Sequence, residues 1–150
     1  MASKLFNSVF EMELRILCLL ASADGKEISL DGMVALDFIT CYSACFQLAF
    51  SNLHGSNDYM YGELSNRRSL AEDAIKGLVR RGLVGVTVKQ GYLFSITSKG
   101  RDYVMKLESQ YARDYKMTAK AVLDKYGICS DNELMIMIQN NALRSLKGAN

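Results

Sequence analysis

The sequence predicts a mainly α-helical protein with one short β-hairpin: a winged helix-turn-helix core over 1–99 and a C-terminal helical extension over 100–150 packed on it as a single compact unit. Three observations carry this. Apolar residues recur every three or four positions through several long stretches. Between them, "LVGVTV" and "YLFSIT" flank Gln90-Gly91 and are rich in β-branched and aromatic residues, a hairpin signature. The 150 residues contain no proline, so no helix loses a backbone donor or is forced to kink.

The first helix starts at Ser8. In "SVFE" the Ser8 hydroxyl accepts from the Glu11 amide while Glu11 reaches back, a capping box. Val9, Met12, Ile16, Leu19, Leu20 and Ala23 form its apolar face, with Glu11, Glu13 and Arg15 placed elsewhere, and Gly25 stops it. A second helix, Ser29 to Ser43, is apolar on nearly every side, the mark of a helix that is buried or covered by a partner. Gly32 near its start is a small cost in helix propensity. Residues 51–62, "SNLHGSNDYMYG", read as a loop because Asn, Asp, Ser and Gly favour turns. Its Tyr59 and Tyr61 either fold back onto the core or form a contact surface.

A third helix, Glu63 to Arg81, carries Leu64, Ala71, Ala74, Ile75, Leu78 and Val79 on one face and ends at Gly82. After the hairpin, Thr97 or Ser98 caps a helix that runs to Tyr126. Its stripe is Tyr103, Leu107, Tyr111, Tyr115, Ala119, Val122 and Tyr126, and Gly127 stops it. "SDNE" at 130–133 is a second capping box. It opens a last helix with Leu134, Met137, Ile138, Ala142 and Leu146, which Met135 and Ile136 broaden. In the winged-helix order the third helix takes the recognition position and the hairpin is the wing.

Charge then bears on function. The formal net charge is +2, low for a dedicated nucleic-acid binder. On a helical wheel the outward side of the third helix holds Asn66, Ser69, Asp73, Lys76 and Arg80, with Glu72 on its flank, while Arg67 and Arg68 sit at the edge of the buried side. The wing adds Lys89. A sequence-independent DNA contact would use Lys76, Arg80, Arg81 and Lys89; the plainer alternative is a solvated helix face. A protein-facing role draws on Tyr59, Tyr61, Met135, Ile136 and Met137. Within "ELMIMI" these residues either anchor a partner or fold back on the Tyr103–Tyr126 stripe.

No chemistry is legible. The single histidine, His54, lies in the polar loop with no nucleophile beside it in sequence. There is no phosphate-binding loop, no dinucleotide fingerprint, no calcium loop and no paired carboxylates at a telling spacing. Cys18, Cys41, Cys45 and Cys129 include no C-x-x-C and read as buried, reduced thiols. The expectation is a protein that is not an enzyme and holds no metal or cofactor. No stretch approaches the ~20 apolar residues of a membrane span, and no signal peptide is visible, which makes the cytoplasm the default.

"DGKEISLDGMVALDFITCYS" and "NLHGSNDYMYGELSNRR", together with "SITSKGRDYV", resemble the middle component of ABC-three-component systems, bacterial conflict systems of the Lamassu type. The resemblance extends from Leu5 to about Leu146. It implies a small non-catalytic adaptor that sits with a large SMC-like ABC ATPase and a nuclease or other effector, in defence against phage and plasmids. Such a subunit would bridge or regulate the ATPase heads and hold the effector inactive until foreign DNA is sensed, with ATP and metal on the partner subunits. The rival function is a winged-helix transcriptional regulator.

Overall fold

The computed structural model describes residues 8–48, 52–54 and 60–148; Tyr59 and the side chain of Leu146 lie outside the described residues. Among these, the chain is mainly helical, with a small three-stranded antiparallel sheet. Helix α1 (Val9–Ser22) starts where the capping box requires, the Ser8 hydroxyl accepting from the Glu11 amide at 3.1 Å. Asp24 and Gly25 both take positive φ just beyond it, reversing the chain. Strand β1 (Ile28–Ser29) follows, a segment of two residues, too short to carry a period in the sequence. Ser29 then caps α2 (Leu30–Cys41), accepting from the Gly32 amide at 3.0 Å.

Every residue of α2 from Gly32 to Cys41 is buried. This chain itself covers the all-round apolar surface of α2, packing it between α1, α3 (Leu64–Arg80), α5 (Gln110–Tyr126) and α6 (Asp131–Gly148). Helix α6 lies against α2, and Leu134 and Ile138 join Met33, Phe38, Leu78, Tyr115 and Val122 in one core.

Strands β2 (Val84–Lys89) and β3 (Gly91–Ile96) form the expected hairpin, and β1 adds to the far side of β3, pairing Ile28 with Phe94. The order β1-β3-β2 leaves one edge of β2 unpaired among the described residues. The opposed pairs Val84/Ile96, Val86/Phe94 and Val88/Tyr92 stand on one face, since side chains alternate along a strand. Val84 is buried at the base, whereas Val88 and Tyr92 at the tip are 69% and 67% exposed.

One expectation is corrected. The single helix read from Thr97 to Tyr126 is two: α4 (Ser98–Met105) and α5. Ser109 interrupts it by capping α5, its hydroxyl accepting from the Ala112 amide at 3.1 Å. Lys116 Nζ reaches back to the Val104 and Leu107 carbonyls at 3.3 and 3.1 Å, satisfying acceptors that the break exposes. Gly100 in α4 is required by close approach, as a Cβ there would lie 2.2 Å from the Leu83 carbonyl oxygen. No described helix is long and apolar enough to cross a membrane.

Candidate functional site

The outward face of α3 and the apolar face of the hairpin enclose a groove of about 720 Å³. Ile75 and Val79 line one wall, and Val86, Tyr92 and Phe94 the other. Asn66, Ser69, Asp73, Lys76 and Arg80 are exposed, as the wheel predicts. Arg68, read as lying at the edge of the buried side, is instead 53% exposed, and its Nε donates to Asp31 Oδ1 at 2.8 Å.

Around this groove, cations are met by acids. Lys76 Nζ is 3.5 Å from Glu72 Oε1, and Arg68 also approaches Glu72 at 3.8 Å. At the margins, Arg81 Nη2 donates to Glu13 Oε2 at 2.7 Å and Lys89 Nζ to Glu27 Oε1 at 2.9 Å. The Lys89 hydrogen bond, helped by Thr87, holds the Glu27 carboxyl below its usual range. Of the four cations proposed for DNA contact, only Arg80 has no ion pair among the described residues. Exposed pairs like these add roughly 0–1 kcal/mol each to stability. Their effect on binding is larger in kind: a phosphate approaching Lys76 or Lys89 also meets the carboxylate beside it. Few condensed counterions would be released by such a surface.

The residues proposed for partner contact divide. Tyr61 and Met137 come together, 76 positions apart in sequence, around a cavity of about 430 Å³ that Phe46, Tyr126 and Arg144 also line. The Tyr61 ring lies 5.5 Å from that of Phe38, so it is half folded onto the core. Met135 is half-buried, and Ile136 is 52% exposed on the outside of α6. Tyr59 lies outside the described residues.

Sequence reasoning missed a buried polar cluster that joins four helices. Asp37 Oδ1 accepts from Arg15 Nε at 2.9 Å and from the Tyr115 hydroxyl at 2.6 Å, and Asp37 Oδ2 accepts from Arg67 Nη1 at 2.7 Å. Arg15, Asp37 and Arg67 are each 1% exposed. The Arg67 guanidinium also lies 5.6 Å from the Phe38 and Tyr42 ring centres and 3.7 Å from Glu63. Burial pushes the Asp37 carboxyl up, but Arg15 and Arg67 outweigh it and hold it well below the usual range. The signal was present in outline. Arg15, expected off the apolar face of α1, in fact falls between Met12 and Leu19 at helical spacing and is buried, and Asp37 is an acid inside an otherwise apolar helix. Charges in such places must find partners.

His54 joins this cluster. Its amide donates to the Cys41 carbonyl at 3.3 Å, which brings the ring to Cys41 Sγ at 3.5 Å, the Tyr111 hydroxyl at 2.8 Å and Arg67 Nη2 at 3.3 Å. A thiol beside an imidazole has the geometry of an activated nucleophile, but its surroundings oppose that role. Burial, reinforced by Asp37, pushes the Cys41 thiol up to about 12. Burial and Arg15 push the His54 imidazole down to about 3. At neutral pH both are uncharged, so no thiolate forms. The expectation of four buried thiols is also corrected: Cys18 and Cys41 are buried, Cys45 is exposed and Cys129 is partly exposed. Among the described residues, no cluster of three metal-ligating side chains occurs.

Against known proteins, residues 5–148 match the model of the family described as ABC-three component (ABC-3C) system Middle Component 2. No curated protein and no solved structure matches.

Proposed function

On the premise that this chain belongs to the ABC-three component system Middle Component 2 family, and is one component of a multi-subunit defence system, we propose that it is a non-catalytic adaptor. In this reading it joins an SMC-like ABC ATPase to a nuclease or other effector in a Lamassu-type complex acting against phage and plasmids in the cytoplasm. ATP and metal belong to the partner subunits. Residues 1–99 serve as a winged helix whose recognition helix is α3 and whose wing is the hairpin, and 100–150 form an extension packed on it.

The observation that carries this is the charge on the surface a DNA-reading winged helix would use. Lys76, Arg81 and Lys89 each face an acid of this chain, while Val86, Val88 and Tyr92 are held out to solvent. Such a surface suits polypeptide better than phosphate. The test is to co-express the chain with the ABC and third components of its own system and to titrate the isolated chain against duplex DNA at physiological salt. The adaptor assembles with its partners and shows little sequence preference. A chain that stays apart from both and shifts one particular duplex tightly is a regulator, and the proposal is then wrong.

A further inference from the structure

We propose that the groove between α3 and the hairpin is the seat of an amphipathic helix from another component of the complex, one with an apolar stripe flanked by a carboxylate that meets Arg80. This rests on the adaptor reading and adds to it the place and chemistry of the contact.

One wall of the groove is Ile75 and Val79 of α3; the other is Val86, Tyr92 and Phe94 of the hairpin, with Val88 on the same face at the tip. Val86, Val88 and Tyr92 are 46%, 69% and 67% exposed, an apolar row on a strand pair whose outer strand has an edge unpaired among the described residues. Edge strands are usually guarded by charge, proline or a bulge. Here the only charged residue of β2 is Lys89, and Glu27 already engages it. A trough with apolar side chains on both sides accepts an element that projects side chains around its circumference, which is a helix. Along α3 it extends from Arg68 to Arg80, about 18 Å or three turns at 1.5 Å per residue.

Charge selects the occupant further. Arg68 is paired with Asp31 and Glu72, and Lys76 with Glu72. Asp131 accepts from the Ser29 hydroxyl at 2.5 Å. Arg80, at the C-terminal end of α3, has no acid partner among the described residues. The groove therefore offers an apolar bed, an end near Arg68 where Asp131 is the acid with no cation partner among the described residues, and one unmatched cation, Arg80, at the other end. A partner helix with a carboxylate beside its apolar stripe supplies the matching charge at Arg80. A basic helix is disfavoured at the same point.

The test uses the assembled complex of this chain with the ABC and third components of its own system. p-Benzoylphenylalanine at position 92 is photolysed and the cross-linked peptide is mapped by mass spectrometry. The expected product is a segment of another component with apolar residues at i, i+3, i+4 and i+7 and an adjacent acid. Arg80→Glu should weaken assembly about tenfold, and changing that acid to Lys should restore it. Val88→Asp, at an exposed position, should weaken assembly with the helical circular dichroism unchanged. A complex that assembles normally but gives cross-links to nucleic acid, to a second copy of this chain, to an extended segment along β2, or to nothing overturns the inference and leaves the adaptor reading standing. Failure to assemble overturns both.

Discussion

The carboxylate of Asp37, in the middle of α2, accepts from Arg67 Nη1 at 2.7 Å although the two residues are 30 positions apart and each is 1% exposed. With Arg15 on the opposite oxygen and Tyr115 beside it, Asp37 ties together α1, α2, α3 and α5. Asp37→Ala should leave Arg15 and Arg67 buried without the carboxylate they share, Arg67 keeping only the more distant Glu63, and cost roughly 3–5 kcal/mol in chemical denaturation. Replacing Arg15, Asp37 and Arg67 together with Met, Leu and Met should cost far less, because the desolvation penalty disappears with the charges. A single Asp37→Ala variant as stable as the parent would remove the cluster from the account of the fold.

His54 predicts how stability responds to acid. Its folded pKa, about 3, lies below the unfolded value, so the unfolded chain takes up a proton first as pH falls. The contribution is fully present above the unfolded value of about 6.5 and is lost progressively towards pH 3. The sign is destabilisation on acidification, on the order of 3 kcal/mol between pH 7 and pH 4. His54→Gln should flatten urea-unfolding free energies across that window. Asp37 acts separately, since its depressed pKa removes stability only below the ordinary carboxylate range. If the parent and His54→Gln chains track one another from pH 7 to pH 4, the imidazole is not held neutral as described.

The acids of the α3 and hairpin surface should suppress DNA binding. Glu72→Gln and Glu27→Gln release Lys76 and Lys89. Each freed cation should raise affinity for a random duplex and steepen log K against log salt by up to about 0.9. The opposite change, Lys76, Arg80 and Lys89 to Glu, should abolish residual affinity. Fluorescence anisotropy at several salt concentrations reads both, and a slope indifferent to all five changes would make these residues bystanders.

Gly100→Ala should destabilise by about 1–3 kcal/mol, because the added Cβ meets the Leu83 carbonyl and forces α4 away from the root of the hairpin. A thermal melt decides it, and an unshifted midpoint would mean that the junction yields without strain.

Ile136→Asp and Met137→Asp should behave differently despite being neighbours. Ile136 is half-exposed, so its variant should keep its helical circular dichroism, and any loss of complex on size exclusion reports on the contact itself. Met137 lines the cavity shared with Tyr61 and packs on the core, so its variant should lose roughly 1–3 kcal/mol of stability before binding is measured. Equal melting of the two variants would contradict the orientation of α6.

Local chemistry alone marked out most of the secondary structure. The Ser8 cap, the Ser130–Glu133 capping box, the positive-φ Gly82 and Gly91 and the hairpin between Val84 and Ile96 all depend on neighbours within a few residues, and each stands where the pattern placed it. The outward face of α3 followed from the same helical period. The interruption at Ser109 leaves no mark in the spacing, because Tyr103, Leu107 and Tyr111 recur every fourth residue across it, yet Tyr103 is exposed and Val104 packs in its place. β1 leaves no mark either, because two residues have no periodicity, and its pairing partner lies more than 60 positions away. Which cations are free, which charges are buried, and that His54 meets Cys41, Tyr111 and Arg67 were decided only when the helices packed. An ion pair such as Arg67–Asp37 depends on distance in space and on exclusion of water, and spacing along a chain encodes neither.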